Sequence, residues 1–357
     1  MLEVRLDKIQ SAIKSTKAEN IFAAAAENEG SMSDLYFTKL HPEIQELVSA
    51  ELHISKSFGI LTTVKPSNKS HDTELKVLKS YTTDLPLVYK LISLENKTTW
   101  ISGYMTKVLK QVLIDDQIKA ITEIPVNVYD MARTLNNDIL LSIEGGSEVK
   151  LLTKSGQMKP FLSLVPLFPA GIHVTKNNAI ILGIVTGGDP YKLTNNSCRK
   201  ITVFGENKKE KQSYQYNKHK QRLFTNPNRI TDVDSFIVVI DKTSKVDGRV
   251  VVLGKEGGVK WIYHGHPQFN TKELPFDPHD IVTASVGNAI VADGINDALH
   301  VISVEGEQLL TYTVMSDQGV IGPTSLDIDT WGQLWVGCCA YEGESDAKVH
   351  IVKLLME

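Results

Sequence analysis

DPHDIVTASVGNAIVADGINDALHVISVEG, residues 277–306, decides how the rest of the chain is read. It holds an apolar strand and then a Gly287-Asn288 turn. A second strand follows through Ile290-Val291-Ala292-Asp293, then a polar turn and a third strand at Leu299–Val304. Gly306 turns the chain into a fourth strand, Gln308–Val314. Four antiparallel strands in about 40 residues make one blade of a β-propeller.

Working outward, one apolar strand of the same character recurs from residue 73 onward. The series reads Thr99-Trp100-Ile101-Ser102, Ile139-Leu140-Leu141-Ser142, Ile180-Ile181-Leu182-Gly183, Ile237-Val238-Val239-Ile240, Ile290-Val291-Ala292-Asp293 and Leu334-Trp335-Val336-Gly337. Their starts lie 40, 41, 57, 53 and 44 residues apart, which predicts six units with insertions in the third and fourth. These segments are expected to be the inner strands. Outer strands are expected at Ile118–Ile124, Met158–Leu164, Ser213–Tyr216, Val259–Tyr263 and Gln308–Val314. The sixth unit ends at Val349–Leu355 without one, while a spare strand, Leu75–Tyr81, precedes the first unit. Closing the ring with that strand removes the last open sheet edge. The fold class expected is therefore all-β: a six-bladed β-propeller over 73–357 of NHL or TolB-like type, its last blade closed by an N-terminal strand.

Two segments precede it. Leu2, Leu6, Ile9 and Ile13 repeat at heptad spacing, so residues 1–30 read as a helix. It is either a coiled-coil remnant that pairs two copies through residues 1–28 or a helix packed on its own domain. Residues 31–72, with Pro42, Pro66, Ser67 and Asn68, read as a linker.

Composition narrows the function. The 357 residues are 42% hydrophobic and 22% charged, with a net charge of −4, which predicts no global attraction to nucleic acid or to an anionic membrane. No window reaches ~18 unbroken apolar residues, so no transmembrane helix is expected. MLEVRLDKIQ at the N-terminus is charged throughout and unlike a signal peptide. Three cysteines make a poor disulfide framework. A cytoplasmic, reduced setting is expected.

The fifth unit resembles an NHL repeat in Asp280-Ile281, Gly287-Asn288, Ile290–Asp293, Asn296-Asp297 and His300-Val301-Ile302. The sixth repeats the pattern in Gly322-Pro323, Leu326-Asp327, Gly332–Val336 and Val349-His350-Ile351. Trp261–Pro267 is similar to a link between blades in invertebrate tripartite-motif (TRIM) proteins of the NHL type. The order of coiled-coil end, linker and six-bladed propeller also resembles the C-terminal half of that family. The resemblance implies a cytoplasmic propeller that recognises protein partners for a ubiquitin ligase and, in some members, RNA. The family's RING and B-boxes are zinc sites built from paired cysteines and histidines. Three cysteines without a Cys-x2-Cys pair encode neither, so RING ligase activity is not expected in this chain and would have to come in trans.

Candidate chemistry is thin. His264 and His266, with His279 nearby, have the spacing for a metal on one strand face, or form a solvent-facing link. Asp280, Asp293, Asp297, Asp327 and Asp329 read as recurring at equivalent blade positions, as calcium ligands of a propeller hydrolase or as turn residues. Gly248–Lys255 has the wrong spacing for a phosphate loop, and Cys198 has no evident base. No catalytic residue, metal ligand or cofactor is assigned. Residues 199–222 are basic, and Lys208, Lys209, Lys218, Lys220 and Arg222, with Tyr214 and Tyr216 interleaved, suit single-stranded RNA.

The reading is a non-catalytic protein-interaction scaffold or substrate-recognition module. Its contacts are expected where the chain enters the blades: Tyr129, Asp130, Asp232, His279 and Thr324. The alternative is an RNA-binding regulator using the basic insertion. A metal-dependent propeller hydrolase or lyase stands third.

Overall fold

The structure is a computed structural model, and it describes residues 73–356 except 96, 105, 285, 286 and 342. The helix expected at 1–30, its dimer and the 31–72 linker lie outside the described residues. All the strands belong to one unit, Ser70–His266 with Lys272–Glu357. Pro267–Thr271 belong to the other unit and contain a turn.

The first strand, β1, is Thr73–Thr82. Blade one then runs β2 Lys90–Ser93, β3 Thr98–Gly103, β4 Val108–Ile114 and β5 Ile118–Ile124. Blade two is β6 Val128–Arg133, β7 Ile139–Ile143, β8 Glu148–Leu152 and β9 Met158–Ser163. Blade three is β10 Phe168–Val174, β11 Ile180–Val185, β12 Arg199–Phe204 and β13 Glu210–Tyr214. Blade four is β14 Pro227–Val233, β15 Phe236–Lys242, β16 Gly248–Gly254 and β17 Val259–Tyr263. Blade five is β18 Pro278–Thr283, β19 Asn288–Asp293, β20 Ala298–Ser303 and β21 Gln308–Val314. Blade six is β22 Pro323–Ile328, β23 Leu334–Cys338 and β24 Lys348–Met356, completed by β1.

The ring is therefore six four-stranded sheets, closed as the sequence predicts. β1 lies antiparallel to β24 from Thr73 opposite Met356 to Thr82 opposite Lys348. Six clusters of buried apolar side chains fill the six gaps between blades. Leu75 and Val77 of β1 enter the cluster between blades five and six, so the closing strand is packed as well as hydrogen-bonded.

Two strand assignments are corrected. The six aligned apolar segments are the second strands, β3, β7, β11, β15, β19 and β23, not the innermost ones. The strands that touch one another around the axis are β2, β6, β10, β14, β18 and β22. The reason is burial: a second strand is flanked on both edges and covered on both faces, so it is nearly all apolar. The first strands carry the polar groups of the axis. The third outer strand begins at Glu210, not Ser213, because Lys208 (φ 59°) closes a tight turn and an exposed outer strand tolerates Glu-Lys-Gln. Among the described residues, no helix is long and apolar enough to cross a membrane.

Candidate functional site: the axial channel and its two mouths

Five of the six first strands break register near their start, between Val128 and Asp130, Pro169 and Ile172, Pro227 and Arg229, Pro278 and Asp280, and Pro323 and Ser325. Proline suits this place because it opens a strand without owing a ladder hydrogen bond. The bulge re-aims the residues that follow it. Two rings of equivalent positions result. The upper ring is Tyr89, Tyr129, Ala170, Asn228, His279 and Thr324. The one beneath it is Lys90, Asp130, Gly171, Arg229, Asp280 and Ser325.

The lower of these rings plugs the axis. Lys90 Nζ lies 2.7 Å from Asp280 Oδ2 and 3.8 Å from Asp130 Oδ1. Arg229 Nε lies 3.7 Å from Asp130 and 3.8 Å from Asp280. All four side chains are buried, and two cations face two anions. Asp130, Asp280 and Ser325 of this ring also latch adjacent blades. Asp130 accepts the Ile172 N–H at 2.8 Å, Asp280 accepts Leu326 N–H at 2.8 Å, and Ser325 Oγ accepts Leu91 N–H at 2.8 Å. Burial pushes the Asp130 carboxyl up, against the pull of Arg229 and Lys90. Burial also opposes the Arg229 charge, but Asp130, Tyr89 and Asp280 outweigh it and hold the guanidinium protonated. Gly171 leaves the room that this ring needs, since a Cβ there would sit 2.7 Å from the Asn228 carbonyl oxygen.

Above the plug the mouth is aromatic. Tyr89 and Tyr104 have ring centroids 4.8 Å apart, and Tyr89 meets Tyr129 edge-on at 6.4 Å. Arg229 forms their floor, its guanidinium carbon 4.9 Å from the Tyr89 centroid and 5.5 Å from that of Tyr129. Asn228 Nδ2 donates to the Tyr129 hydroxyl at 2.8 Å. The Asn226 side chain neighbours the hydroxyls of both Tyr129 and Tyr191 and lowers both phenols against burial. Burial, first, drives the Tyr129 phenol well above its usual range. On the far side His279 Nε2 pairs with Asp277 Oδ2 at 2.8 Å, and Asp277 also pairs with Lys242. Burial opposes the Asp277 charge, yet His279 and Lys242 hold its carboxyl below the ordinary value. Tyr191 comes from the thirteen-residue connection between β11 and β12, the insertion seen in the third unit. Arg222 clasps that connection at the carbonyls of Thr194, Asn195 and Ser197.

Below the plug the axis opens into a cavity of about 320 Å³. Ser93 donates from its N–H and its hydroxyl to Asp327 Oδ2, each at 2.7 Å. Arg133 Nη1 donates to the Ser93 carbonyl at 3.1 Å. Asp232 is held by His173 and by Lys255, each at 2.7 Å. Burial alone would raise the Asp232 pKa, but these partners bring it down to about 2.

The expected contact residues thus divide. Tyr129, His279 and Thr324 share the upper ring, and Asp130 sits directly beneath in the plug. Asp232 lies at the opposite mouth. Lys90, Arg229, Tyr89 and Tyr104 were missed. The signal for three of them was present: Val88-Tyr89-Lys90, Val128-Tyr129-Asp130, Pro169-Ala170-Gly171, Pro227-Asn228-Arg229, Pro278-His279-Asp280 and Pro323-Thr324-Ser325 align as a triplet starting each blade.

The five aspartates do not occupy equivalent positions. Asp280 is in the plug and Asp327 below it. Asp293, Asp297 and Asp329 serve turns and connections, accepting the N–H groups of Asp277, Gly322, Trp331 and Gln333. Among the described residues, no three His, Cys, Asp or Glu side chains are grouped to hold a metal ion.

The basic insertion is split by the fold. Lys208 and Lys209 lie at the β12–β13 turn, on the lower side. Lys218, Lys220 and Arg222 lie in the connection to blade four, at the other end of β13. Five residues of strand, about 17 Å, separate the two groups. Lys208 sits 4.0 Å over the Phe161 ring, and Arg222 is committed to its three carbonyls.

No protein-family model matches the chain, and no curated protein matches it in sequence. Solved structures do match in fold. Virginiamycin B lyase from Staphylococcus aureus superposes with a TM-score of 0.54 at 13% identity, over 79% of this chain and 100% of that one. The PQQ-bound aldose sugar dehydrogenase from Streptomyces coelicolor gives 0.56 at 11%, over 80% and 99%. A luciferin-regenerating enzyme gives 0.55 at 14%, over 79% and 95%. At such identities the likeness defines the class alone: a six-bladed β-propeller.

Proposed function

We propose that the chain is a non-catalytic recognition propeller, and that it grips a segment of a protein partner at the upper mouth. The observation that carries this is the pairing of an aromatic mouth with a self-satisfied floor. Tyr89, Tyr104, Tyr129 and Tyr191 offer rigid apolar area with hydroxyl tips, the chemistry that anchors protein interfaces. The charges beneath them neutralise one another and latch blades, so they are spent on structure. We further propose the tripartite-motif NHL setting, in which such a propeller selects substrates in the cytoplasm for a ubiquitin ligase acting in trans. Residues 1–28 would pair two copies and raise avidity for a repetitive partner.

The test is proximity labelling in cells with the full chain, beside a Tyr104→Ala/Tyr191→Ala variant. Any partner enriched is then titrated directly. One protein whose affinity falls about 30-fold or more in the variant supports the reading, since anchor tyrosines are worth ~2 kcal/mol or more. Equal labelling and equal affinity for both proteins would overturn it.

A second reading, single-stranded RNA binding, is favoured by one observation. Lys218, Lys220 and Tyr216 are exposed together on one hairpin, which is pinned by the Tyr216–Arg222 bridge. Lys218→Glu with Lys220→Glu would then abolish salt-dependent binding of an oligoribonucleotide, while Lys208→Glu with Lys209→Glu would act separately.

A further inference from the structure

On the lower side, beside the axial cavity and sharing Lys176 and Thr283 with it, a cavity of about 610 Å³ opens where blades three, four and five converge. Its volume is in the range that holds a drug-sized ligand. Ala179, Ile181, Val203 and Ile237 supply apolar wall. Three lysines, Lys176, Lys211 and Lys255, and two aspartates, Asp232 and Asp234, stand around it. Lys255 is already committed, donating to Asp232 Oδ2 and to the Asp234 carbonyl. Asp232 is doubly held, by Lys255 and by His173. The surplus positive charge therefore rests on Lys176 and Lys211, which are exposed at the rim.

We propose that this cavity is a binding site for a monocarboxylate with an apolar body. One surplus charge matches one carboxylate. A phosphate dianion would meet Asp234 as well as the lysines, whereas a neutral ligand would leave the surplus unused. The apolar walls exclude a small hydrophilic anion as the best occupant, because most of the contact area asks for hydrocarbon. Two sources carry this chemistry, the free carboxy-terminus of an apolar peptide and a medium-chain fatty acid. The site is at the end of the ring opposite the tyrosine mouth, so it stands or falls independently of the reading above.

Calorimetric titration of the full chain tests it with four probes: N-acetyl-leucyl-leucine, its carboxamide, octanoate and octanol. The acid of at least one pair is expected to bind at least 10-fold more tightly than its neutral partner, and the pair that binds identifies the source. Lys176→Gln with Lys211→Gln should weaken that acid about 10-fold, consistent with two partly exposed charge contacts. Ala179→Trp, which fills the cavity from its partly exposed wall and keeps both lysines, should abolish binding. Melting curves identify any variant that misfolds. Loss in both alterations, with the fold retained, supports the site. No binding by any probe, equal affinity of acid and neutral forms, or wild-type affinity in either folded variant overturns it.

Discussion

The side-chain amide of Gln318 clasps the backbone of β1 at Leu75: its Nε2 donates to the Leu75 carbonyl at 3.1 Å, and its Oε1 accepts the Val77 N–H at 2.8 Å. The two groups lie on the outer edge of the strand that closes the ring. One carboxamide thereby imitates the next strand of a ladder, across 243 residues of sequence. Gln318→Ala should lower stability by about 1 kcal/mol, the net worth of a hydrogen bond or two on a partly exposed edge. Chemical denaturation measures it. An unchanged midpoint would mean that water replaces the amide without loss.

A second clasp across the same seam depends on pH. Ser80 Oγ of β1 is 2.8 Å from His350 Nδ1 of β24. Burial, aided by Lys348, depresses the His350 pKa from 6.5 to about 4. The unfolded chain therefore takes up this proton near pH 6.5 and the folded chain only near pH 4. The contribution is complete above pH 6.5 and is lost as pH falls from there toward 4, by up to about 3 kcal/mol. Melting curves at pH 7.5 and 5 should show a larger drop for the native sequence than for His350→Gln. Equal drops would assign the acid sensitivity elsewhere.

The axial plug should behave as a unit. Arg229→Met leaves Asp130 and Asp280 buried with Lys90 as their remaining cation, and should cost about 3–5 kcal/mol. Adding Asp280→Asn restores charge balance, so the double change should cost less than the two single changes summed. Additive losses in a denaturation cycle would refute the coupling.

Blade three approaches blade four so closely that a methyl group does not fit. A Cβ on Gly183 would lie 2.6 Å from the Pro227 carbonyl oxygen and 3.2 Å from the Gly171 nitrogen, both backbone atoms. Gly183→Ala should therefore destabilise by about 1–3 kcal/mol, as overpacking does. Retention of full stability would show that the two blades can part without cost.

The blade count and the closing strand were legible because they follow from edges and periods. Val251 and Val252 are both fully buried, one on each face of the same strand, and such strands announce themselves as apolar runs. A sixth unit short of one strand, with Leu75–Tyr81 to spare, left one way to finish the ring. Arg229 was illegible for the opposite reason. A lone arginine in a strand reads as a solvent-facing residue, and only the closed ring sets it between two aspartates from other blades. The basic insertion reads as one patch in the sequence, where neighbours along the chain cannot be told from neighbours in space. β13 carries Lys209 and Lys218 to opposite ends of a blade.

The pairing of Thr73 with Met356 has a mechanical consequence. Both residues lie at the same end of an antiparallel ladder, so pulling the chain apart on either side of the ring loads the hydrogen bonds one rung at a time. That is the unzipping direction, in which rungs break in succession and resist far less force than when sheared together. The ring is thus easiest to pry open from its own two ends, and a tether on residues 72 and 357 in a force spectrometer should open blade six before any other.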